Sequence, residues 1–261
     1  GEGRPAVRVP GGPCFGAIHL PLAAAMPGRQ HLLLDRPGFG LSDPVDLVPD
    51  VRGRSVRLLR ELLDALELEA VDLVGNSMGA GMALWLALAS PGRVRSLAFV
   101  GGAAMLPGPP LPLVLRLLAM PGIGRAMMAL ERPTPRQVRA LFSRFGHDPD
   151  RTREELLEVM LAAERLPAHA RAWRELLVST ISWKGQRPGL LLTEEELRRI
   201  VCPMSFAWGE GDPMGSVEDG RAAAALMTDA RFAVVGAGHA PWLEEAAAVA
   251  RAIEPTMAPA R

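Results

Sequence analysis

Apolar positions in the first hundred residues fall into short runs of strand length that alternate with stretches of helical spacing. Residues 5–9 (PAVRV) read as a strand running into the turn Pro10-Gly11-Gly12-Pro13, and residues 18–26 as a helix stopped by Pro27-Gly28. Residues 31–34 (HLLL) are a second strand, ended by Asp35-Arg36-Pro37-Gly38. Asp50 is placed to cap a helix in which Val56, Leu59, Leu63 and Leu66 recur at spacings of three and four. Residues 71–74 then form a strand, 78–89 an apolar helix closed by Pro91-Gly92, and 94–100 another strand. Short apolar strands alternating with helices predict a parallel sheet covered on both faces.

The rhythm breaks between residues 105 and 200. No strand stands out there, and three amphipathic stretches, 113–130, 154–165 and 168–179, are separated by Pro- and Gly-rich joints. The sheet pattern resumes with strands at 204–208 and 232–235 and helices at 216–227 and 241–253. The expected organisation is therefore a core of residues 1–104 and 201–261 interrupted by a helical insertion, 105–200, over the mouth of the sheet. The most apolar stretch, 111–130, contains Arg116, Pro121 and Arg125. A membrane-spanning helix needs about 20 residues with few or no charges, so no span is expected. The given chain opens without a basic segment leading into an apolar one, which predicts a cytoplasmic protein.

Composition narrows the chemistry. The 261 residues are 49% apolar and carry 29 basic against 29 acidic side chains, a balance that excludes disorder and gives no electrostatic case for nucleic acid. Cys14 and Cys202 are too few for a disulfide framework or a zinc cluster and read as small buried hydrophobes. Neither metal nor cofactor is called for. Tyrosine is absent, so no tyrosine serves as a proton or oxyanion donor.

The strand at 71–74 runs into Gly75-Asn76-Ser77-Met78-Gly79 and then directly into a helix. A serine on so tight a strand-to-helix turn takes a strained backbone conformation, and side chains two positions to either side would collide. Glycine at 75 and 79 removes them, leaving the Ser77 hydroxyl at the helix N-terminus with the Met78 N–H aimed where an oxyanion would form. Serine needs a base. Of five histidines, His19, His31, His147 and His169 read as surface or packed residues. His239, in Gly236-Ala237-Gly238-His239, lies in a loop after a strand, where open α/β sheets place their catalysts. A carboxylate at another strand end completes the set. Asp212 in Trp208-Gly209-Glu210-Gly211-Asp212-Pro213 is the choice, with Glu210 as alternative.

The elbow GNSMG (75–79), DRPGFGLSD (35–43), WGEGDP (208–213) and GAGHAPWLEE (236–245), in this order and spacing, resemble the α/β-hydrolase superfamily, in particular its cap-bearing serine hydrolases. The resemblance spans nearly the whole chain. It implies an α/β-hydrolase fold, mostly parallel sheet flanked by helices with a helical cap, and Ser77 as nucleophile, His239 as base and Asp212 as its orienting acid. It also implies a second oxyanion donor from the first loop, the N–H of Gly12. Residues 35–43 are expected to be a structural turn without a catalytic role. Two departures stand out. Pro10-Gly11 replaces the usual His-Gly whose histidine braces the oxyanion loop, and the hairpin that opens the family's sheet is missing before PAVRV.

The implied reaction is acyl transfer on small to medium apolar esters; serine at 77 excludes relatives that use aspartate there. The closest rival is a carbon–carbon bond hydrolase of aromatic ring-cleavage products, whose members share GNSMG but tend to have glycine and tryptophan where this chain has Ala80 and Ala240. Lactone hydrolysis, acyl transfer and cofactor-free perhydrolysis use the same triad, and a silent binding member of the fold would ordinarily lose one of its residues. Specificity is expected from the insertion. Met105, Met120, Met127, Met128 and Met160 read mainly as packing, while Met127, Trp173, Trp183 and Trp242 are candidates for pocket walls. The expected partner is a small apolar carbonyl substrate, with a homodimer left open.

Overall fold

The computed structural model of the chain describes residues 2–45, 50–107, 111–130 and 133–257. The few remaining positions of the expected core and insertion lie outside the described residues. Six strands form one sheet: β1 (Pro5–Val9), β2 (Gln30–Leu33), β3 (Val71–Ser77), β4 (Val94–Ala103), β7 (Met204–Gly209) and β8 (Ala230–Val235). Their order is β2-β1-β3-β4-β7-β8, and each of the five pairings is parallel. β3 and β7 lie inside the sheet and are buried along most of their length, β3 despite Asp72, which Arg29 pairs at 3.0 Å.

The crossover helices are α1 (Leu20–Ala24), α2 (Val51–Ala65), α3 (Met78–Ala89), α10 (Val217–Ala225) and α11 (Trp242–Met257). Asp50 caps α2 by accepting the Gly53 N–H at 2.9 Å, and Leu59 and Leu63 are buried. Leu66, expected on the same face, sits at the C-cap and is 44% exposed, because the helix stops before that turn reaches the core. α3 is apolar on every side and buried from Met78 to Ala87.

Between β4 and β7 lie α4 (Leu113–Leu118), α5 (Pro121–Leu130), α6 (Pro135–Arg144), α7 (Glu154–Glu164), α8 (Pro167–Thr180), a hairpin of β5 (Ile181–Ser182) and β6 (Gly185–Gln186), and α9 (Glu194–Arg198). Four details differ from expectation. Residues 113–130 form two helices because Pro121 opens the second. α6 begins at a Thr134 cap that accepts the Gln137 N–H, followed by Pro135. α9 begins at a Thr193–Glu196 capping box. The hairpin was not expected, since two-residue strands carry no periodicity.

Besides His239, three histidines are enclosed. His19 stacks on Trp242 with ring centroids 4.5 Å apart, and His169 meets Phe39 edge-on at 5.1 Å. Neither ring has a hydrogen-bond partner on either nitrogen. Burial drives the pKa of His19 well below its ordinary value and that of His169 down to about 4, and lowers that of His147. Below about pH 6.5 the unfolded chain therefore binds more protons than the folded one, so stability present above that pH is lost as pH falls. Urea midpoints should be level between about pH 7 and 8 and fall steadily from about 6.5 to 4.5. His169→Leu, which removes a ring that makes no hydrogen bond among the described residues and lies 3.9 Å from Glu164 Oε1, should make that fall shallower; an unchanged slope would count against this account.

Candidate active site

Ser77 ends β3 and precedes α3 with φ 49° and ψ −119°, the strained turn its sequence context predicts. The flanking glycines are there for lack of space. A Cβ on Gly79 would lie 2.0 Å from the Val9 carbonyl oxygen, and one on Gly75 2.6 Å from the Ala80 Cα. The loop after β1 thus presses against the turn, and Met78, whose N–H opens α3, is buried beside Ser77.

His239 and Asp212 arrive from the ends of β8 and β7. His239 Nδ1 lies 2.9 Å from both carboxylate oxygens of Asp212, so Nδ1 carries the donated proton and Nε2 is left free. Asp212 also accepts the Gly102 N–H on Oδ2 and the Met214 N–H on Oδ1, each at 2.8 Å. Burial alone would raise its pKa; the charge and hydrogen bond of His239, with the two amides, outweigh that and hold the carboxyl below its ordinary value. Glu210, the alternative, is exposed and makes no such contact. The two loops are tied together, with the Gly211 N–H donating to the Ala237 carbonyl at 3.0 Å.

Two residues without an expected role hold these parts in place. Asn76 is buried and its amide donates to the Val100 carbonyl at 2.7 Å and to the His239 carbonyl at 3.1 Å, linking the serine turn to β4 and the histidine loop. At the same junction Gly101 has φ +78°, and a Cβ there would lie 1.9 Å from the His239 oxygen. Arg36 answers the question raised by Pro10. Its guanidinium donates to the carbonyls of Gly11, Gly12 and Cys14, bracing the first loop in the absence of the family's histidine. Residues 35–43 therefore do more than turn the chain: Asp35 accepts the Gly16 and Leu41 N–H groups while Arg36 grips the loop. Polar side chains satisfying backbone groups leave no periodic trace, which is why neither residue stood out.

A cavity opens against Met78 and Met82 of α3. Its other walls come from Arg36 and Phe39 after β2 and from Ala172 and Leu176 of α8. Arg36 is 3% exposed, forms an ion pair with no carboxylate among the described residues, and lies 4.5 Å above the Phe39 ring. Burial lowers its pKa to about 10, which leaves it cationic at neutral pH. The expected wall residues lie elsewhere. Trp183 is 62% exposed beside Lys184. Trp242 is fully enclosed, donating to the Ile18 carbonyl at 2.7 Å and stacked on His19. Trp173 packs against the apolar core, and half-buried Met127 on α5 does not line the cavity. Large apolar side chains report burial, and burial here is packing.

The family model described as the alpha/beta hydrolase family matches residues 9–252, and the chain belongs to that family. It is 30% identical over 224 residues to a 2-hydroxy-6-oxononadienedioate/2-hydroxy-6-oxononatrienedioate hydrolase of Paraburkholderia phymatum, covering 84% of this chain and 74% of that protein. Among solved structures it is similar to a 2-hydroxy-6-oxo-6-phenylhexa-2,4-dienoate hydrolase from a Rhodococcus strain, with TM-score 0.79 and 22% identity over 96% of this chain and 89% of that one. It is also similar to a carboxylesterase of Bacillus subtilis, with TM-score 0.74 and 20% identity over 96% and 82%.

The steric account of the turn is testable with two alanines. Gly79→Ala should lower stability by roughly 3 kcal/mol or prevent folding, because backbone must move. Gly12→Ala meets nothing within 4 Å and should cost only the strain of its φ of +43°, about 1 kcal/mol. Equal losses in urea unfolding would contradict it.

Proposed function

We propose that the chain is a serine hydrolase that cleaves carboxylic esters of small to medium apolar compounds through an acyl-enzyme on Ser77. The observation that carries this reading is the contact of His239 Nδ1 with Asp212, which fixes the imidazole with Nε2 available to a serine on a strained turn.

Ser77 Oγ attacks the ester carbonyl carbon while His239 Nε2 takes its proton, and Asp212 stabilises the imidazolium. The carbonyl electrons move onto oxygen, where the N–H groups of Met78 and Gly12 receive them; a donor of this kind contributes roughly 3 kcal/mol in other hydrolases. The intermediate collapses, the C–O bond to the alcohol breaks, and His239 returns the proton to the departing oxygen. Water, deprotonated by His239, then attacks the acyl-enzyme and frees the acid and Ser77. The insertion acts as a cap in this reading, supported by α8, whose Ala172 and Leu176 line the cavity beside Met78, the residue next to Ser77. The Arg36 clamp supports Gly12 as a donor, since it fixes that residue's own carbonyl.

A second reading, carbon–carbon cleavage of a ring-cleavage product, is favoured by the name of the 30%-identical relative and by Arg36. Its buried cation in the cavity wall suits a carboxylate such as the relative's dioate carries. Ala80 and Ala240, where such hydrolases tend to have glycine and tryptophan, favour the ester.

Fluorophosphonate should label the wild-type protein and not Ser77→Ala; a folded wild type that takes no label would remove the serine-hydrolase reading. Asp212→Asn should lower turnover about 10⁴-fold. Turnover of a p-nitrophenyl ester series, compared with a vinylogous diketo acid, separates the two substrates. A preference of several orders of magnitude for the diketo acid would replace the ester reading.

A further inference from the structure

Residues 145–147, which follow α6 in the insertion, lie against the loop that carries His239. The His239 N–H donates to the Phe145 carbonyl at 2.9 Å, and the Phe145 ring stacks on the His239 ring at 5.6 Å. One position further on, the Ala240 N–H donates to Nε2 of His147 at 2.8 Å. Since Nε2 accepts, the proton of a neutral His147 is on Nδ1, which lies 2.8 Å from Glu244 Oε1 on α11. Both side chains are 3% exposed. Arg151 holds the far oxygen of Glu244 at 3.2 Å and also pairs with Glu245.

We propose that His147 is a positioning residue for His239: its neutral imidazole, held in one tautomer by Glu244, accepts the Ala240 N–H and so pins the loop in which His239 stands. The proposal rests on the reading of His239 as the base. A carbonyl would satisfy the same N–H equally well, but a histidine loses its acceptor when it is protonated. Nε2 then becomes a second donor facing the Ala240 N–H, and the loop is released. Burial keeps His147 neutral near pH 7. The hydrogen bond and charge of Glu244 oppose that, His239 adds to it, Asp212 counters it, and Arg151 acts through Glu244. The insertion and the base are thereby joined through one titratable side chain.

The test is the second-order rate at which an alkyl fluorophosphonate modifies Ser77, followed from about pH 4.5 to 8 in the wild type, His147→Gln and His147→Leu. Near pH 7.5 His147→Leu should react roughly tenfold to a hundredfold more slowly. His147→Gln, whose side-chain carbonyl reaches the Ala240 N–H, should stay within about threefold. Below neutrality the wild-type rate should fall with a slope approaching two protons, that of His147→Gln with a slope of one. A His147→Leu rate equal to wild type, equal losses in both variants, or a glutamine slope as steep as wild type would overturn the proposal. If His147→Leu does not fold, the glutamine slope alone decides. A wild type that is not labelled overturns this proposal and the hydrolase reading together, whereas normal wild-type labelling with an unaffected His147→Leu removes only this one.

Discussion

The close approach of the β1 loop to the start of α3 is the constraint on which the rest of the site depends. Val9 and Pro10 carbonyls lie where a side chain on residue 79 would be. That contact sets how far α3 can slide along the sheet, and so where Ser77 projects and where the Met78 N–H points. It also brings the first loop against the serine turn, where a Cβ on Gly11 would lie 2.5 Å from that of Ser77. The strain at Ser77, of order 1–3 kcal/mol for such a backbone, persists because buried apolar packing of α3 against β3 over-determines it.

From that point the site is assembled by polar side chains that tie backbone segments together. Asn76 bonds the turn to β4 and to the His239 carbonyl. Asp212 ties the His239 ring to the Gly102 amide of β4. Arg36 binds three carbonyls of the first loop from outside it. Each buried tie satisfies groups that would otherwise cost free energy, so removing one partner loses more than a single bond's net contribution. The arrangement also explains why Pro10 is tolerated. A proline removes one backbone donor and a bracing imidazole, and a guanidinium from the next strand's end supplies the bracing.

Much of the core could be read directly, and the limits of that reading are physical. Parallel strands covered on both faces are mainly apolar runs, so all six stand out in the sequence, with β2, β3, β4 and β8 offset by one to three residues at their ends and β7 by one. Ser77, Asp212 and His239 stood out because glycine-rich turns at strand ends are rare outside such sites, and the structure brings Asp212 and His239 together. α6 and α9 were missed because they are short and marked mainly by their caps at Thr134 and Thr193. The candidate wall residues show a different limit. Trp242 and Trp173 are large and apolar, but helices use such residues to fill space between layers, and sequence cannot tell a wall from a wedge. His147 was set aside as a packed histidine; its position in three dimensions, between α6 and α11, is what makes it polar in function.

The cavity sharpens the question of substrate. Arg36 forms an ion pair with no carboxylate among the described residues, in a wall that is mostly apolar but also holds Arg171 and Glu175 of α8, which pair with each other. A guanidinium so placed gives up hydration, and carbonyl oxygens on one side of it return only part of that cost. A substrate bearing negative charge near its carbonyl would recover more, whether the bond to be broken is an ester or a carbon–carbon bond. The same charge raises the electrostatic potential around the first loop, whose carbonyls it contacts. Arg36 therefore braces the first loop and, in the proposed reading, also biases the cavity toward substrates whose charge it can meet.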